Sequence, residues 1–441
     1  MKKTVQIVSL SVVLLMVFSI QGWSQSAPAE ALKNVTIHTA DGNTIQDGTI
    51  VWRDGVITDV GDNINVPFDA YVYDGGDSLH VYPGFIDGLA QWGSPDVEEN
   101  VSTPEVPGDP AYDRAGIQPQ RSPSDLIQDD KIFTEAAKMG FTAANLGLKG
   151  QMLPGQTDLF LISEESTADN LLHGGIGIFA QFEEAQGQAY PSTTMGVMNQ
   201  FRQLFNDAKA LQQHEQYFAS LSSNYPAPKK DKVLEALFPV MDNEQPFYFV
   251  VDTEENIERV FWLQDDLGFD VVIVSGKEAY KQADALKERD IPVLASVDLP
   301  EEPEWQKADE DKDQPEVTEE MRIFRDKQLE AYKADIENIS KLINSGVQVG
   351  YASNGLELKD ITKNLKTLQE EGGLSDTETL QLMTQSTANI LGYGEKLGDI
   401  KSGRLANFTV FTEPFMDEES KAVYSVSNGS VTEFESESSG E

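Results

Sequence analysis

The chain has 441 residues, of which 74 are acidic and 33 are basic, so its formal net charge at pH 7 is −41. This charge repels phosphate backbones and anionic lipid surfaces and therefore argues against a nucleic-acid-binding protein. Hydrophobic residues make up 39% of the chain, enough for a globular core, and the lack of cysteine excludes disulfides, thiolate metal sites and a cysteine-linked lipid anchor.

Residues 1–25 have the pattern of a secretory signal peptide. A lysine-containing start is followed by an apolar run at 5–20 and then by small and polar residues. The alternative is a membrane anchor, but the run is short for a span of about 20 residues and no basic stop follows it. We expect cleavage near Ser24 or Ala27 and a periplasmic or secreted mature protein without a membrane segment.

Residues 26–82 are predicted to form a small antiparallel sheet. Short β-rich runs alternate with Asp-Gly turns such as Asp54-Gly55, and both residue types tolerate the positive φ of tight hairpins. Residues 396–432 again show short β-rich runs separated by turn residues. We therefore expect the two ends of the chain to combine into one small β-sandwich, followed by a disordered acidic tail at 433–441.

Residues 83–395 alternate between apolar, β-rich runs and helical stretches. The strand-like runs begin at Phe85 and lie at 141–146, 159–162, 175–180, 247–251, 271–274, 291–295 and 347–352. The helical stretches lie at 129–139, 195–221, 253–267, 279–289 and 318–344. Continuously apolar strands that alternate with helices favour a parallel sheet covered on both faces. Eight such units predict the α/β fold of a (β/α)₈ TIM barrel.

Two long segments without helical or strand periodicity follow predicted barrel strands. Residues 97–126 are rich in Pro, Gly, Asp and Ser, and residues 299–320 are mostly acidic. Because barrels carry their sites on the loops after the strands, we expect both segments on that face, although a plain solvated insertion is the alternative for the acidic one.

Four stretches carry a resemblance to a known family. They are Pro83-Gly84-Phe85-Ile86-Asp87, residues 190–197, residues 273–280, and the closing pair 384–392 and 397–408. Together they resemble the amidohydrolase superfamily, in particular its secreted, imidazolonepropionase-related metal-dependent hydrolases. The resemblance implies that histidines and carboxylates at the strand ends hold one or two divalent ions, which activate water for hydrolysis of carbon–nitrogen bonds.

The metal-binding motifs of that family are degenerate in this chain. Leu89 and Gln91 stand where the resemblance implies the first histidine pair, and Ser275 stands where it implies a histidine. Asn354 stands where it implies the aspartate that accepts the proton of the attacking water, and asparagine cannot act as a base. Asp87 is expected to make a buried hydrogen bond that ties the first strand to its neighbours.

Three carboxylates remain as candidate metal ligands: Glu183 or Glu184 after the fourth strand, and Asp252 after the fifth. A divalent ion needs several nitrogen or oxygen donors at about 2.0–2.6 Å, so we expect no metal cofactor. Gln91, Asp252, Ser275 and Asn354 are expected to converge on one polar pocket, for which core filling and ligand binding remain alternatives.

These observations favour an exported amidohydrolase homologue without catalysis, which acts as a binding or partner subunit to an intact amidohydrolase paralogue. The alternative is an active hydrolase of carbon–nitrogen bonds in small amides or peptides, with an unusual mononuclear zinc, manganese or iron site. A third possibility is a sensor or transport-type protein that binds a small amide or peptide without chemistry.

Overall fold

The computed structural model describes residues 27–434 except 99, 128–129, 164–168, 222–225, 304 and 307–317. The predicted signal peptide and residues 435–441 of the predicted tail lie outside the described residues. Within the described part of the chain, no helix is both long enough and apolar enough to cross a membrane.

The described strands fall into two sheets. They are β1 (Glu30–His38), β2 (Thr44–Arg53), β3 (Val56–Gly61), β4 (Tyr71–Asp74), β5 (His80–Pro83), β6 (Phe85–Ala90), β7 (Phe141–Leu146), β8 (Gly155–Leu161), β9 (Leu171–Gln181), β10 (Phe247–Val251), β11 (Val271–Ser275), β12 (Val293–Ala295), β13 (Val349–Tyr351), β14 (Phe408–Phe411), β15 (Ala422–Ser427) and β16 (Ser430–Glu433).

The described helices lie mainly between the barrel strands. They are α1 (Pro123–Leu126), α2 (Asp130–Lys138), α3 (Thr194–Leu221), α4 (Lys232–Glu235), α5 (Phe238–Met241), α6 (Glu254–Leu267), α7 (Ala283–Glu288), α8 (Glu319–Ile336), α9 (Asn338–Ser345), α10 (Leu358–Glu370), α11 (Asp376–Gln381) and α12 (Thr387–Ile390). Local signals explain the bounds of α6. Thr253 caps its start by accepting a hydrogen bond from Asn256 N, and Gly268 ends it in a left-handed conformation.

The two ends of the chain combine, as predicted, in the form of one continuous eight-stranded sheet. Strand β14 pairs antiparallel with β5, so the C-terminal segment lies beside the strand that leads into the barrel. The prediction of a purely antiparallel N-terminal sheet was wrong, because β4 and β5 run parallel to β1. Strand β16 extends to Glu433, the first residue of the predicted tail.

The central sheet contains the eight predicted strands, β6 to β13, in chain order, and the TIM-barrel fold class is confirmed. One strand departs from the prediction, because β8 runs antiparallel to both β7 and β9. The two flanking connections are short and contain no helix among their described residues. Antiparallel neighbours can be joined by such turns, whereas parallel neighbours need a longer crossover.

The predicted helix at 318–344 is interrupted at Glu337, which separates α8 from α9. Asn338 follows the break and is 4% exposed. Its side-chain oxygen accepts a hydrogen bond from Tyr280 N, and its side-chain nitrogen donates to Gly276 O, each at 2.9 Å. The asparagine thus fixes the second helix to the loop after β11, a tertiary interaction that helical periodicity does not reveal.

A buried carboxylate anchors the end of the long loop at 97–126. Asp158 on β8 accepts hydrogen bonds from Ser122 Oγ at 2.5 Å, Ser124 N at 2.9 Å and Gly175 N at 2.7 Å. Because charged side chains are rarely fully buried without such partners, this network holds α1 in place against the barrel.

The close packing around Gly84 generates a prediction. A Cβ on Gly84 would lie 1.9 Å from Thr142 Oγ1 and 2.3 Å from its Cγ2. Gly84→Ala should therefore reduce the free energy of unfolding by about 2 kcal/mol or more, measured by urea denaturation. Gly108→Ala is the matched control, because a Cβ there meets nothing within 4 Å. Equal denaturation midpoints for Gly84→Ala and Gly108→Ala would refute this packing. The double variant Gly84→Ala/Thr142→Ala should recover part of the unfolding free energy that Gly84→Ala loses.

Candidate functional site

The first and last barrel strands are joined by the carboxylate of Asp87. This side chain is fully buried, and its Oδ1 accepts hydrogen bonds from Leu89 N at 3.1 Å and Ser353 N at 3.0 Å. Asn354 N adds a second link by donating to Leu89 O at 3.0 Å. The buried hydrogen bond predicted for Asp87 is therefore present, and it lies where the barrel closes.

The same carboxylate shapes the end of β6. The pairing register of β6 with β7 shifts between Asp87 and Ala90, which indicates a bulge. Ile86 and Leu89 consequently both belong to the buried cluster inside the barrel, although residues three apart on a regular strand point to opposite faces. The bulge thus turns Leu89 inward.

Burial raises the pKa of Asp87 to about 6, and its hydrogen bonds from Ser353 and Leu89 oppose part of that rise. Among the described residues, no hydrogen-bond partner reaches Asp87 Oδ2, Tyr351 OH or Ser353 Oγ. The pKa of Tyr351 is raised well above its ordinary value by burial and by the nearby Asp87 carboxylate. The ionised form of Asp87 is therefore destabilised in the folded protein.

Leu89 is packed in hydrocarbon at the position where the resemblance implies a histidine ligand. It is fully buried in the cluster that fills the barrel, together with Phe179 on β9. A Cβ on the neighbouring Gly147 would lie 3.0 Å from Phe179 Cδ1 and 3.1 Å from Leu89 Cδ1. Carbon atoms of both side chains therefore border Gly147, and neither side chain can supply a ligand to a metal ion.

Gln91 lies two residues further on, in the wall of a cleft of about 450 Å³, which we call the mouth cleft. Trp92 and Lys149 line the same cleft, as do Glu357, which precedes α10, and Lys359 in the first turn of that helix. Lys149 forms an ion pair with Asp96 at 2.8 Å, and Lys359 forms one with Glu357. Within the described residues, the Gln91 carboxamide has no hydrogen-bond partner, so it is available to a ligand.

Ser275 and Asn354 both adopt left-handed backbone conformations, with φ of 74° and 42°. This conformation is uncommon for residues other than glycine and costs about 1–2 kcal/mol, less for asparagine. Ser275 is 2% exposed, and its carbonyl accepts a hydrogen bond from Ser296 N at 3.0 Å. These two strand ends therefore hold sharp turns at positions where the resemblance implies catalytic residues.

The residual carboxylates do not form a metal site. Asp252 is half-buried, and its Oδ1 has no hydrogen-bond partner among the described residues. Glu183 and Glu184 are both exposed, just beyond the end of β9. In the described part of the chain, no three His, Asp or Glu side chains are grouped so that they could hold a metal ion. The residues present thus do not fit the divalent ion that the fold family implies.

The four residues predicted to share a pocket lie at one edge of the barrel but not in one cavity wall. Gln91 Oε1 would lie 3.8 Å from a Cβ on Gly355, next to Asn354, and Ser275 is paired with Val251, next to Asp252. Of the four, Gln91 lines the mouth cleft, and Asp252, Ser275 and Asn354 do not. Sequence reasoning followed the family's metal positions and so missed Trp92, which lies two residues after β6, and the charged residues of the cleft.

The long loop at 97–126 lies on this face, as predicted. Tyr190 N donates to Pro107 O at 2.9 Å, and Asn100 N donates to Gln186 Oε1 at 2.6 Å. Arg114 donates to two carbonyls within the loop, at 2.7 Å each. The loop is thus ordered against the segment that follows β9.

The raised pKa of Asp87 generates a prediction. Between about pH 4 and pH 6 the folded protein keeps a proton on Asp87 that the unfolded chain has released. Stability from this group is therefore fully present below pH 4 and is lost as pH rises to 6, by about 3 kcal/mol. The free energy of unfolding of Asp87→Asn should not show this loss. The difference in unfolding free energy between Asp87→Asn and the wild-type protein should therefore shift in favour of the variant as pH rises from 4 to 6, measured by urea denaturation. The exposed Asp284→Asn is the control, and a pH-independent difference for Asp87→Asn would contradict the assignment.

Comparisons with known proteins agree with this fold. Residues 271–432 match the Amidohydrolase family. No curated protein sequence matches the chain. An amidohydrolase structure from Thermotoga maritima is 21% identical, covers 91% of this chain and 99% of its own, and has a TM-score of 0.72.

More distant structures share the same fold. A Xaa-Pro dipeptidase with bound methionine is 14% identical, with a TM-score of 0.54 over 92% of this chain and 100% of its own. A prolidase complexed with N-methylphosphonate-L-proline is 15% identical, with a TM-score of 0.52 over 92% of this chain and 100% of its own. At these identities the structures show the fold alone. The chain therefore shares the fold of these amidohydrolase structures, and its residues 271–432 match the Amidohydrolase family.

Proposed function

We propose that this protein is an exported amidohydrolase-superfamily member that has lost metal chemistry and acts as a binding or partner subunit to an intact amidohydrolase. The observation that carries the proposal is the full burial of Leu89 in the same apolar cluster as Phe179, at a position where the resemblance implies a histidine ligand. Export rests on the signal-peptide pattern at 1–25.

The surroundings of Leu89 are unfavourable for a divalent ion. Transfer of an unpaired charge into hydrocarbon costs far more than a folded domain can supply, so metals occur where several polar ligands converge. Leu89 supplies no ligand, and the exposed Glu183 and Glu184 are not grouped with Asp252. Asn354 in place of an aspartate removes the proton acceptor as well. The substitutions at Leu89 and Asn354 therefore both remove groups that metal-assisted hydrolysis needs.

The mouth cleft supports a role in binding. Its volume of about 450 Å³ is within the range of small-molecule sites, which combine an apolar wall with a few polar groups. Trp92 supplies an aromatic surface, and the carboxamide of Gln91 can both donate to and accept from an amide. A small amide or a short peptide is therefore the ligand that this cleft suits best.

Exposed apolar side chains support a role as a partner subunit. Val97, Val101 and Val106, all on the loop at the barrel mouth, are 39%, 75% and 55% exposed. These three side chains offer apolar area on one loop that another protein could cover. The alternative of an active mononuclear hydrolase requires Glu183 or Glu184 to act with Asp252. No contact in the described structure favours it, and it stays a prediction from sequence.

Metal analysis tests the loss of metal chemistry. After incubation with excess zinc, manganese and iron followed by desalting, elemental analysis should find only substoichiometric metal. Exhaustive chelation should leave the melting temperature unchanged, because a ligand that stabilises only the folded state would lower it on removal. One equivalent of bound metal, with a fall in melting temperature on chelation, would overturn the proposal.

Ligand binding at the mouth cleft is tested by thermal shift with dipeptides and N-acetylated amino-acid amides. A compound at ten times its Kd should stabilise the wild-type protein by about 1.4 kcal/mol. Gln91→Leu should abolish the shift, because it removes the unpaired carboxamide. Gln213→Leu, an exposed change on α3, is the matched control. The absence of any stabilising compound, or an equal shift in Gln91→Leu, would count against binding at this cleft.

A further inference from the structure

A second cleft lies between the small sheet and the barrel and shares no lining residue with the mouth cleft. It has a volume of about 430 Å³ and is formed by the turn after β1, by β5, by α11 and by the segment before β15. We call it the seam cleft. The turn after β1 lies directly on α11, because a Cβ on Gly42 would lie 2.6 Å from Thr377 Oγ1. Its walls are thus held together by packing.

One wall of the seam cleft is aromatic. The rings of His38 and Tyr82 are parallel, with an interplanar angle of 1° and centroids 4.2 Å apart. Phe415 packs edge-on against Tyr82 at 5.0 Å. Leu380 and Met416 continue the wall with aliphatic carbon and sulfur. This combination of a mostly apolar wall and a few polar groups is that of a small-molecule site.

The imidazole in this wall is uncharged at neutral pH. His38 Nε2 lies 3.1 Å from His80 Nδ1, so one ring nitrogen donates a hydrogen bond to the other, and two charged rings at this distance would repel each other. Burial and the neighbouring His80 lower the pKa of His38 to about 4. The phenol of Tyr82 is also neutral, because burial raises its pKa to about 12.

The seam cleft therefore carries one formal charge, the carboxylate of Asp376. No lysine or arginine is among the residues that line it. Asp376 is exposed, and its Oδ1 accepts a hydrogen bond from Gln369 Nε2 at 3.1 Å. Its Oδ2 has no hydrogen-bond partner in the described part of the chain. An aromatic wall beside a free carboxylate oxygen is the chemistry that recognises an organic cation.

We propose that the seam cleft binds a small organic ammonium ion, with its charged nitrogen at Asp376 and its apolar body against His38, Phe415 and Met416. The net charge of −41 raises the concentration of cations near the surface and so favours the same class of ligand. A divalent metal is a poor fit, because the described residues of the cleft supply one carboxylate and one imidazole, and a nitrogen of that imidazole is already hydrogen-bonded to His80.

Calorimetric titration with phenethylamine and with phenethyl alcohol tests this proposal, because the two compounds share a body and differ in the charged nitrogen. The wild-type protein should bind the amine at least about tenfold more tightly than the alcohol, which corresponds to about 1.4 kcal/mol. Asp376→Asn should abolish this preference and leave the affinity for the alcohol unchanged. Asp326→Asn, an exposed change on α8, should keep it.

The salt dependence gives a second readout that needs no variant. Raising sodium chloride should weaken binding of the amine and leave that of the alcohol unchanged, because an exposed ion pair is screened. Equal affinities for the two compounds, or a preference that persists in Asp376→Asn, would overturn the proposal. No heat of binding for either compound at millimolar concentration would overturn it as well.

Discussion

One carboxylate oxygen, Asp87 Oδ1, joins the two strands at which the barrel closes. It accepts hydrogen bonds from Leu89 N on the first strand and from Ser353 N after the last. The bulge that accompanies this contact turns Leu89 into the barrel interior, and the chain then leads to Gln91 at the mouth. The inward position of Leu89 and the position of Gln91 at the mouth cleft therefore both depend on a buried carboxylate, which the fold holds at an energetic cost.

The barrel fold is present here, although the described residues contain no group of His, Asp or Glu side chains that could hold a metal ion. Leu89 and Phe179 fill the barrel with carbon, while Ser275 and Asn354 keep left-handed turns at the strand ends. Strained turns at such positions are typical of functional sites, and they remain although neither side chain supplies a base or a strong ligand. Under the proposed function, the barrel keeps its geometry without metal chemistry and presents a polar mouth with an aromatic wall.

The elements with a local cause were predictable from sequence, and those with a tertiary cause were not. Continuous apolar runs and turn residues located the eight barrel strands and the joining of the two chain ends. The pattern of an apolar strand does not indicate its direction in the sheet, so the antiparallel orientation of β8 was not predicted. The helix break at Glu337 depends on contacts of Asn338 with a distant loop. At the site, motif positions led to Gln91, whereas the seam cleft is formed by four separate segments and has no sequence signal.

The central claim is that hydrocarbon occupies the place of the family's metal centre. Anomalous diffraction from crystals soaked in zinc, with data collected on both sides of the zinc absorption edge, tests it most directly. The account predicts no anomalous peak between Leu89 and the strand ends at Asp252, Ser275 and Asn354, and a continuous apolar contact between Leu89 and Phe179. A peak in that space, ligated by Gln91 or Asp252 with Leu89 displaced from the core, would contradict it.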